Sequence, residues 1–144
     1  MTTVTRTFEV QPAPATVIDY LKDFSNAEEW DPGTESCSRI DVGEVVVGSK
    51  FKNVSKIAGI STELVYTLTE LSADKLVFRG ENDTATTTDT ITVVPAGTGS
   101  EITYEAVIEM SGAAKLAAPA VKVVFEKIGN DTVEQMTEAL NKRA

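Results

Sequence analysis

Residues 12–33, PAPATVIDYLKDFSNAEEWDPG, decide the fold, because their proline, capping and glycine residues predict two short helices in series. Pro14 suits the first turn of a helix, where its missing N–H group is not needed. A second helix is expected to start at Ser25, which can form a capping box with Glu28 three residues later. Residues 30–33, WDPG, end that helix, since proline cannot continue it and glycine tolerates a turn. We therefore expect the chain to form two short helices between a first strand and the rest of a sheet.

The segments on either side of these helices alternate between apolar and polar residues, which predicts strands. Residues 100–110, SEITYEAVIEM, alternate most regularly and place Ile102, Tyr104 and Ile108 on one face. One covered face and one polar face are typical of antiparallel sheets. We expect seven strands, at residues 3–10, 36–44, 49–57, 62–72, 75–80, 84–94 and 100–110.

The apolar period becomes that of a helix from about residue 117, shortly before Pro119. One stripe of this helix carries Val121, Val124, Phe125, Ile128, Met136 and Leu140. Gly129 interrupts the stripe, and Asp131 with Glu134 could cap a new segment, so we expect a kink or brief break there.

The assembled order is β-α-α-β-β-β-β-β-β-α, which predicts an α+β fold in one domain over residues 1–144. The strands should form an antiparallel meander that curves around the long C-terminal helix. Such a sheet need not close fully against the helix, so we expect a cavity of ~300–1,000 Å³ between them if the protein binds a ligand.

The charge balance is 13 basic against 22 acidic residues, a net charge of −9. This surface repels phosphate backbones and anionic lipid headgroups, so we expect neither nucleic acid nor membrane partners. Acidity is also an ordinary means of keeping a protein in solution. The N-terminal segment MTTVTRTFEV has no basic start or apolar core typical of a signal peptide, and we expect a cytoplasmic protein.

The sequence contains no histidine and a single cysteine, Cys37. Catalytic triads, cysteine–histidine pairs and imidazole acid–base chemistry are therefore excluded. A zinc site would need carboxylates alone, and no glycine-rich nucleotide-binding motif is present, so we expect no metal and no cofactor. Any catalysis would depend on carboxylates, tyrosines, lysines or bound water.

Several segments together resemble the polyketide cyclase/dehydrase branch of the START-like (SRPBCC) superfamily. They are PAPATVIDYLKDFSNAEEWDP at 12–32, VGSKF at 47–51, LVF at 76–78, GTGSEITYEA at 97–106, and Pro119 before the terminal helix. The resemblance spans essentially the whole chain and implies a helix-grip fold, with a seven-stranded curved sheet around the C-terminal helix. It also implies a deep apolar cavity that accepts lipids, sterols, polyketides or similar molecules. The matching motifs shape the fold and include no catalytic signature.

Residues on the covered faces of the strands and helix are the candidates for contact with a small hydrophobic molecule. They are Leu64, Tyr66, Leu68, Phe78, Ile91, Ile102, Tyr104, Ile108, Val121, Val124, Phe125 and Ile128. The small-residue loops at 59–61 and 111–116 could gate access to the cavity.

Three residues are candidates for catalysis. Asp89 shares a face with Ile91 if its strand is regular, and a carboxyl group facing an apolar cavity has a raised pKa suited to acid–base chemistry. A bulge would instead turn Asp89 to solvent. Tyr66 and Tyr104 could orient a ligand oxygen or donate a proton, or they could be core aromatics.

Four other residues have structural interpretations. Trp30 is expected to anchor the helix pair by packing, and Asp31 to act as a turn residue. Cys37 is read as a small buried apolar residue, and Arg79 as solvent-facing.

The sequence favours a non-enzymatic binding protein for a small hydrophobic ligand. A cofactor-independent cyclase or dehydratase is the alternative, and it requires a convergent polar cluster deep in the cavity. A protein-interaction module is the third, and it requires a large exposed apolar patch.

Overall fold

The computed structural model describes residues 1–57 and 59–144, with the backbone alone for Ile57. Seven strands form one antiparallel sheet in the order β1-β7-β6-β5-β4-β3-β2. Their bounds are β1 Thr2–Val10, β2 Thr34–Arg39, β3 Lys50–Ile57, β4 Ile60–Leu71, β5 Lys75–Glu81, β6 Ala85–Ala96 and β7 Gly99–Met110. The helices are α1 Pro14–Leu21, α2 Ala27–Trp30 and α3 Ala118–Asn141, with 3-10 helices at Phe24–Asn26 and Gly112–Ala117. The expected fold class and the expected number of strands are confirmed.

The sheet is a meander apart from β1, which pairs with β7 at one edge. Successive side chains of a strand point to opposite faces of the sheet, so the alternation in the sequence puts the apolar residues on one face and the polar residues on the other. The last hairpin turns on Gly97, whose φ of +60° favours glycine. Pro95 and Ala96 pair with β7, so the turn is shorter than the interval between the strands expected at 84–94 and 100–110.

The expected capping box does not form. The Asp23 carboxylate accepts a hydrogen bond from the Ser25 backbone N–H at 3.1 Å instead. The Glu28 carboxylate turns toward the sheet, where it accepts a hydrogen bond from the Cys37 backbone N–H at 2.8 Å. Glu28 thus ties α2 to β2, a role that depends on a strand distant from the capping signal in the chain.

The expected break at Gly129 is also wrong, because α3 is continuous over 24 residues. Gly129 lies where α3 packs closely on β1, and a Cβ atom there would be 2.6 Å from Val4 Cγ1. Arg6 of β1 secures this contact by donating hydrogen bonds to the Glu126 carboxylate at 3.1 Å and the Asn130 side chain at 3.0 Å. The glycine permits close packing and does not interrupt the helix.

The solid core lies at the end of the sheet that is covered by α1, α2 and the C-terminal half of α3. Phe24 is its centre, with ring centroids 4.6 Å from Phe78 and 4.5 Å from Tyr66. Trp30 packs edge-on against Phe24 and is fully buried, as expected of a packing anchor. Met136 of α3 is likewise fully buried. This aromatic core closes one end of the space between sheet and helix.

Candidate functional site

A cavity of about 270 Å³ separates the sheet from the N-terminal half of α3. Small side chains contribute to the space, since Ala106 and Thr87 stand on the floor where larger residues would reach the helix. The helix contributes Val121, Phe125 and Ile128 as an apolar wall. Its C-terminal half enters the solid core, so α3 has a cavity-lining part and a packed part.

The cavity floor carries a cluster of polar groups on the covered face of the sheet. Asp89 of β6 is 6% exposed, and Tyr66 and Tyr104 are nearly as well buried. Tyr66 and Thr87 hydroxyl groups form a hydrogen bond of 3.2 Å, while the Tyr104 hydroxyl interacts with the Asp89 carboxyl group. Asp31, which follows α2, also lines the cavity. A single sheet face and one loop therefore bring two carboxyl groups and two phenols together.

Burial, together with the nearby Asp31 charge, raises the pKa of Asp89 to about 7. The hydrogen bond from Tyr104 acts in the opposite direction and favours the carboxylate. A carboxyl group with this pKa can both donate and accept a proton near neutral pH. Burial also raises the pKa of Tyr66 and Tyr104 well above that of an exposed phenol, so both hydroxyls stay protonated.

The charged form of Asp31 is stabilised by more hydrogen bonds from the described residues than that of Asp89. The Asp31 carboxylate accepts a hydrogen bond from the Gly33 backbone N–H at 3.0 Å and another from the Thr34 hydroxyl at 2.9 Å. Burial raises the pKa of Asp31, and these two bonds lower it. The residue is a turn former, as expected, and it also lines the cavity.

A single glycine makes room for the Tyr66 ring. Gly80 of β5 pairs with Tyr66 on one side and Thr87 on the other. A Cβ atom at Gly80 would lie 2.7 Å from Tyr66 Cε1 and Cζ and 2.7 Å from Thr87 Oγ1. The Tyr66 ring therefore lies over the glycine. This position brings the Tyr66 hydroxyl within hydrogen-bond distance of the Thr87 hydroxyl.

The structure places seven of the twelve candidate contact residues on the cavity wall. They are Leu64, Tyr66, Tyr104, Ile108, Val121, Phe125 and Ile128. Leu68, Phe78, Ile91 and Ile102 do not line it, because they are fully buried in the core beneath the short helices. Val124 of α3 is also absent from the wall. Alternation identified the covered face of β4, β5, β6 and β7 but not where along that face the core ends and the cavity begins.

Other lining residues were not among the candidates. They include Val4, Asp31, Thr87, Ala106, Gly129 and Thr132. The alternation that selected Asp89 also selects Thr87, two residues earlier on the same face. Asp31 has no such signal, because its position depends on how α2 packs against the sheet.

Cys37 and Arg79 agree with their structural interpretations. Cys37 is buried, and burial raises the pKa of its thiol to about 12, which leaves it unreactive as a nucleophile. Arg79 is exposed and pairs with Glu81 at 2.6 Å. Ile60 of the first suggested gate lines the cavity, as does Ala117, which directly follows the second. The opening of these loops stays a prediction.

In the part of the chain that the structure describes, no helix is both long enough and apolar enough to cross a membrane. The sequence has no detectable match among curated proteins.

The fold is similar to that of several solved structures. A Thermus thermophilus protein superposes with a TM-score of 0.83 at 14% identity, covering 99% of each chain. A START superfamily protein from Mycobacterium smegmatis gives a TM-score of 0.73 at 19% identity, over 98% of this chain and 95% of that one. The Zhui aromatase/cyclase of a Streptomyces species gives 0.76 at 14% identity, over 98% and 94%. At these identities the likeness concerns the fold.

The sequence itself matches, over residues 1–144, the family described as polyketide cyclase / dehydrase and lipid transport. The match covers the strands that carry the polar cluster as well as α3, which forms the opposite wall. The chain belongs to this family of polyketide cyclases, dehydrases and lipid-transport proteins.

Proposed function

We propose that the chain binds a small hydrophobic molecule in the cavity between the sheet and α3. The observation that carries the proposal is the hollow of about 270 Å³, which has aliphatic and aromatic walls and a few convergent polar groups. Membership of a family with lipid-transport proteins supports the same conclusion. The apolar walls would bind the body of the guest, and the groups around Asp89 would orient its polar end.

Fluorescence titration with N-phenylnaphthylamine, an apolar probe that is uncharged at neutral pH, tests this proposal. We expect saturable binding with one probe per chain. The variant Ala106→Phe, which adds a ring to the cavity floor, should abolish it. The same change at the exposed turn residue Ala73 is the matched control and should leave binding intact. Equal binding by both variants would locate the probe elsewhere and would overturn the proposal.

A second candidate function is acid–base catalysis of a cyclisation or dehydration of a polyketide-like substrate. The specific observation that favours it is the buried Asp89, whose pKa of about 7 suits proton transfer, beside the Tyr66 and Tyr104 hydroxyls. A cavity lined by aliphatic groups alone would have argued against catalysis.

Conversion of a poly-β-ketone thioester, followed by mass spectrometry, tests this second candidate. We expect the wild-type chain to form a product lighter by one water, and both Asp89→Asn and Tyr104→Phe to slow its formation about 100-fold or more. Unchanged rates in both variants, provided that they remain folded, would leave ligand binding without catalysis.

A further inference from the structure

The cavity is acidic, and this restricts the chemistry of its guest. Asp31 and Asp89 both line it, whereas the described lining residues include no lysine or arginine. The part of α3 that faces the cavity contributes Val121, Phe125, Ile128, Gly129 and Thr132, none of which can ionise. The other titratable groups that face Asp89 are the Tyr66 and Tyr104 phenols, which stay neutral.

The described part of the chain also offers Asp89 no counter-charge. Among the residues described, every salt bridge involves a carboxylate other than Asp31 and Asp89. The Asp31 carboxylate accepts hydrogen bonds from Gly33 and Thr34. For Asp89, the Tyr104 hydroxyl is the one group among the described residues that favours the charged form. Buried charges in proteins are normally paired, and a buried carboxylate without a cation carries an unfavourable desolvation free energy.

We propose that the guest of this cavity is an amphiphilic amine, whose ammonium group pairs with Asp89 while its apolar body contacts α3. The inference rests on the proposed binding function and assigns the chemical class of the ligand. An ammonium group at this position supplies the missing counter-charge and can donate hydrogen bonds to the Asp89 carboxylate and to the phenol oxygens. Its positive charge also reduces the repulsion between Asp31 and Asp89.

The same arrangement disfavours a carboxylate guest. A fatty acid would bring a third negative charge into a site that has no described cation, and like charges in a poorly hydrated site repel strongly. A neutral alcohol avoids this repulsion, but it leaves Asp89 without a counter-charge. The expected order of affinity is therefore amine, then alcohol, then carboxylate.

Three probes with one apolar body and different polar ends test this order: naphthylmethylamine, naphthalenemethanol and naphthoate. Isothermal titration at pH 8 should show the amine binding at least about tenfold more tightly than the alcohol, with the naphthoate weakest. Alcohol or naphthoate binding as tightly as the amine would overturn the inference.

The pH dependence provides a second test that needs no variant. Protonation of Asp89, whose pKa is about 7, should weaken amine binding by about tenfold between pH 8 and pH 6. The amine stays protonated throughout this range, and the alcohol should show little change. Equal pH dependence of the two ligands would contradict the pairing with Asp89.

Asp89→Asn should remove the preference for the amine over the alcohol. Asp19→Asn removes the same charge from the exposed face of α1 and should retain the preference. A preference that persists in Asp89→Asn would show that Asp89 is not its source. If N-phenylnaphthylamine binds but none of the three probes does, the inference fails and the binding function stands. If none of the four binds, the binding function itself fails.

Discussion

Asp89 shows how the environment of one side chain changes its chemistry. Its strand places it on the covered face of the sheet, opposite Ala106 on one neighbour and Phe78 on the other. Phe78 belongs to the solid core and Ala106 to the cavity, so Asp89 lies at the boundary between them. The sequence predicts this face and the raised pKa, but not the neighbouring Asp31 charge.

The raised pKa of Asp89 makes the free energy of unfolding depend on pH. From about pH 4 to pH 7 the unfolded chain ionises at this position while the folded chain holds the proton, so stability falls as pH rises. A shift from 3.8 to about 7 corresponds to at most ~4 kcal/mol. Relative to Asp89→Asn, the wild type should lose stability across this range and show no further relative change above it. Urea unfolding at pH 4, 6 and 8 measures this, and Asp19→Asn should follow the wild type. Parallel curves for wild type and Asp89→Asn would contradict the prediction.

Gly80 matters because of the Tyr66 ring that lies over it. In Gly80→Ala the new methyl group would clash with the ring and with Thr87. We expect a loss of ~1–3 kcal/mol in the free energy of unfolding, as for other overpacked sites, and weaker probe binding as Tyr66 moves. Glu81→Ala, which removes an exposed ion pair with Arg79 on the same strand, should alter stability by less than about 1 kcal/mol. Equal stabilities of Gly80→Ala and wild type in urea would show that the ring has another position open to it.

At the scale of elements, α3 has two environments along one apolar stripe. Its C-terminal half is held by the core and by Arg143, which lies 3.9 Å above the Tyr20 ring and 3.4 Å from the Glu29 carboxylate. Its N-terminal half faces the cavity. The sequence predicts the stripe but does not distinguish its two halves. Helical periodicity shows which face of a helix is apolar and not what covers that face.

The contact between α3 and β1 leads to a further prediction. Alanine normally favours a helix over glycine by about 1 kcal/mol, yet Gly129→Ala would place its methyl group against Val4. We expect Gly129→Ala to reduce the free energy of unfolding, and Val4→Ala to relieve much of that cost by making space. A double-mutant cycle in urea should give a coupling free energy of about 1 kcal/mol or more between the two positions. Additive effects would contradict the close approach.

At the scale of the whole molecule, the cavity exists because the short helices fill only one end of the curved sheet. The aromatic core closes that end, and the other end is left to α3 and to the 3-10 helix Gly112–Ala117. An apolar guest adds contacts that the empty protein lacks, so binding and stability should be linked.

Probe binding should therefore stabilise the fold. At about 100 times its Kd, N-phenylnaphthylamine should add about 2.7 kcal/mol to the free energy of unfolding. For a chain of this length that raises Tm by about 5–10 °C. Thermal unfolding followed by circular dichroism measures the shift, which Ala106→Phe should lose and Ala73→Phe should keep. A Tm independent of probe concentration would contradict specific binding to the folded state.

The sequence by itself determined the order of the elements, the seven strands, the covered face of β4 to β7 and the family. These properties are local, since they follow from periodicity, turn residues and motifs read along the chain. Only the tertiary structure decided that Glu28 would reach β2, that Gly129 would meet Val4, and which part of the covered face would stay hollow. The reason is that each depends on how distant segments fill shared volume, and that volume is settled when the short helices and α3 pack on the curved sheet.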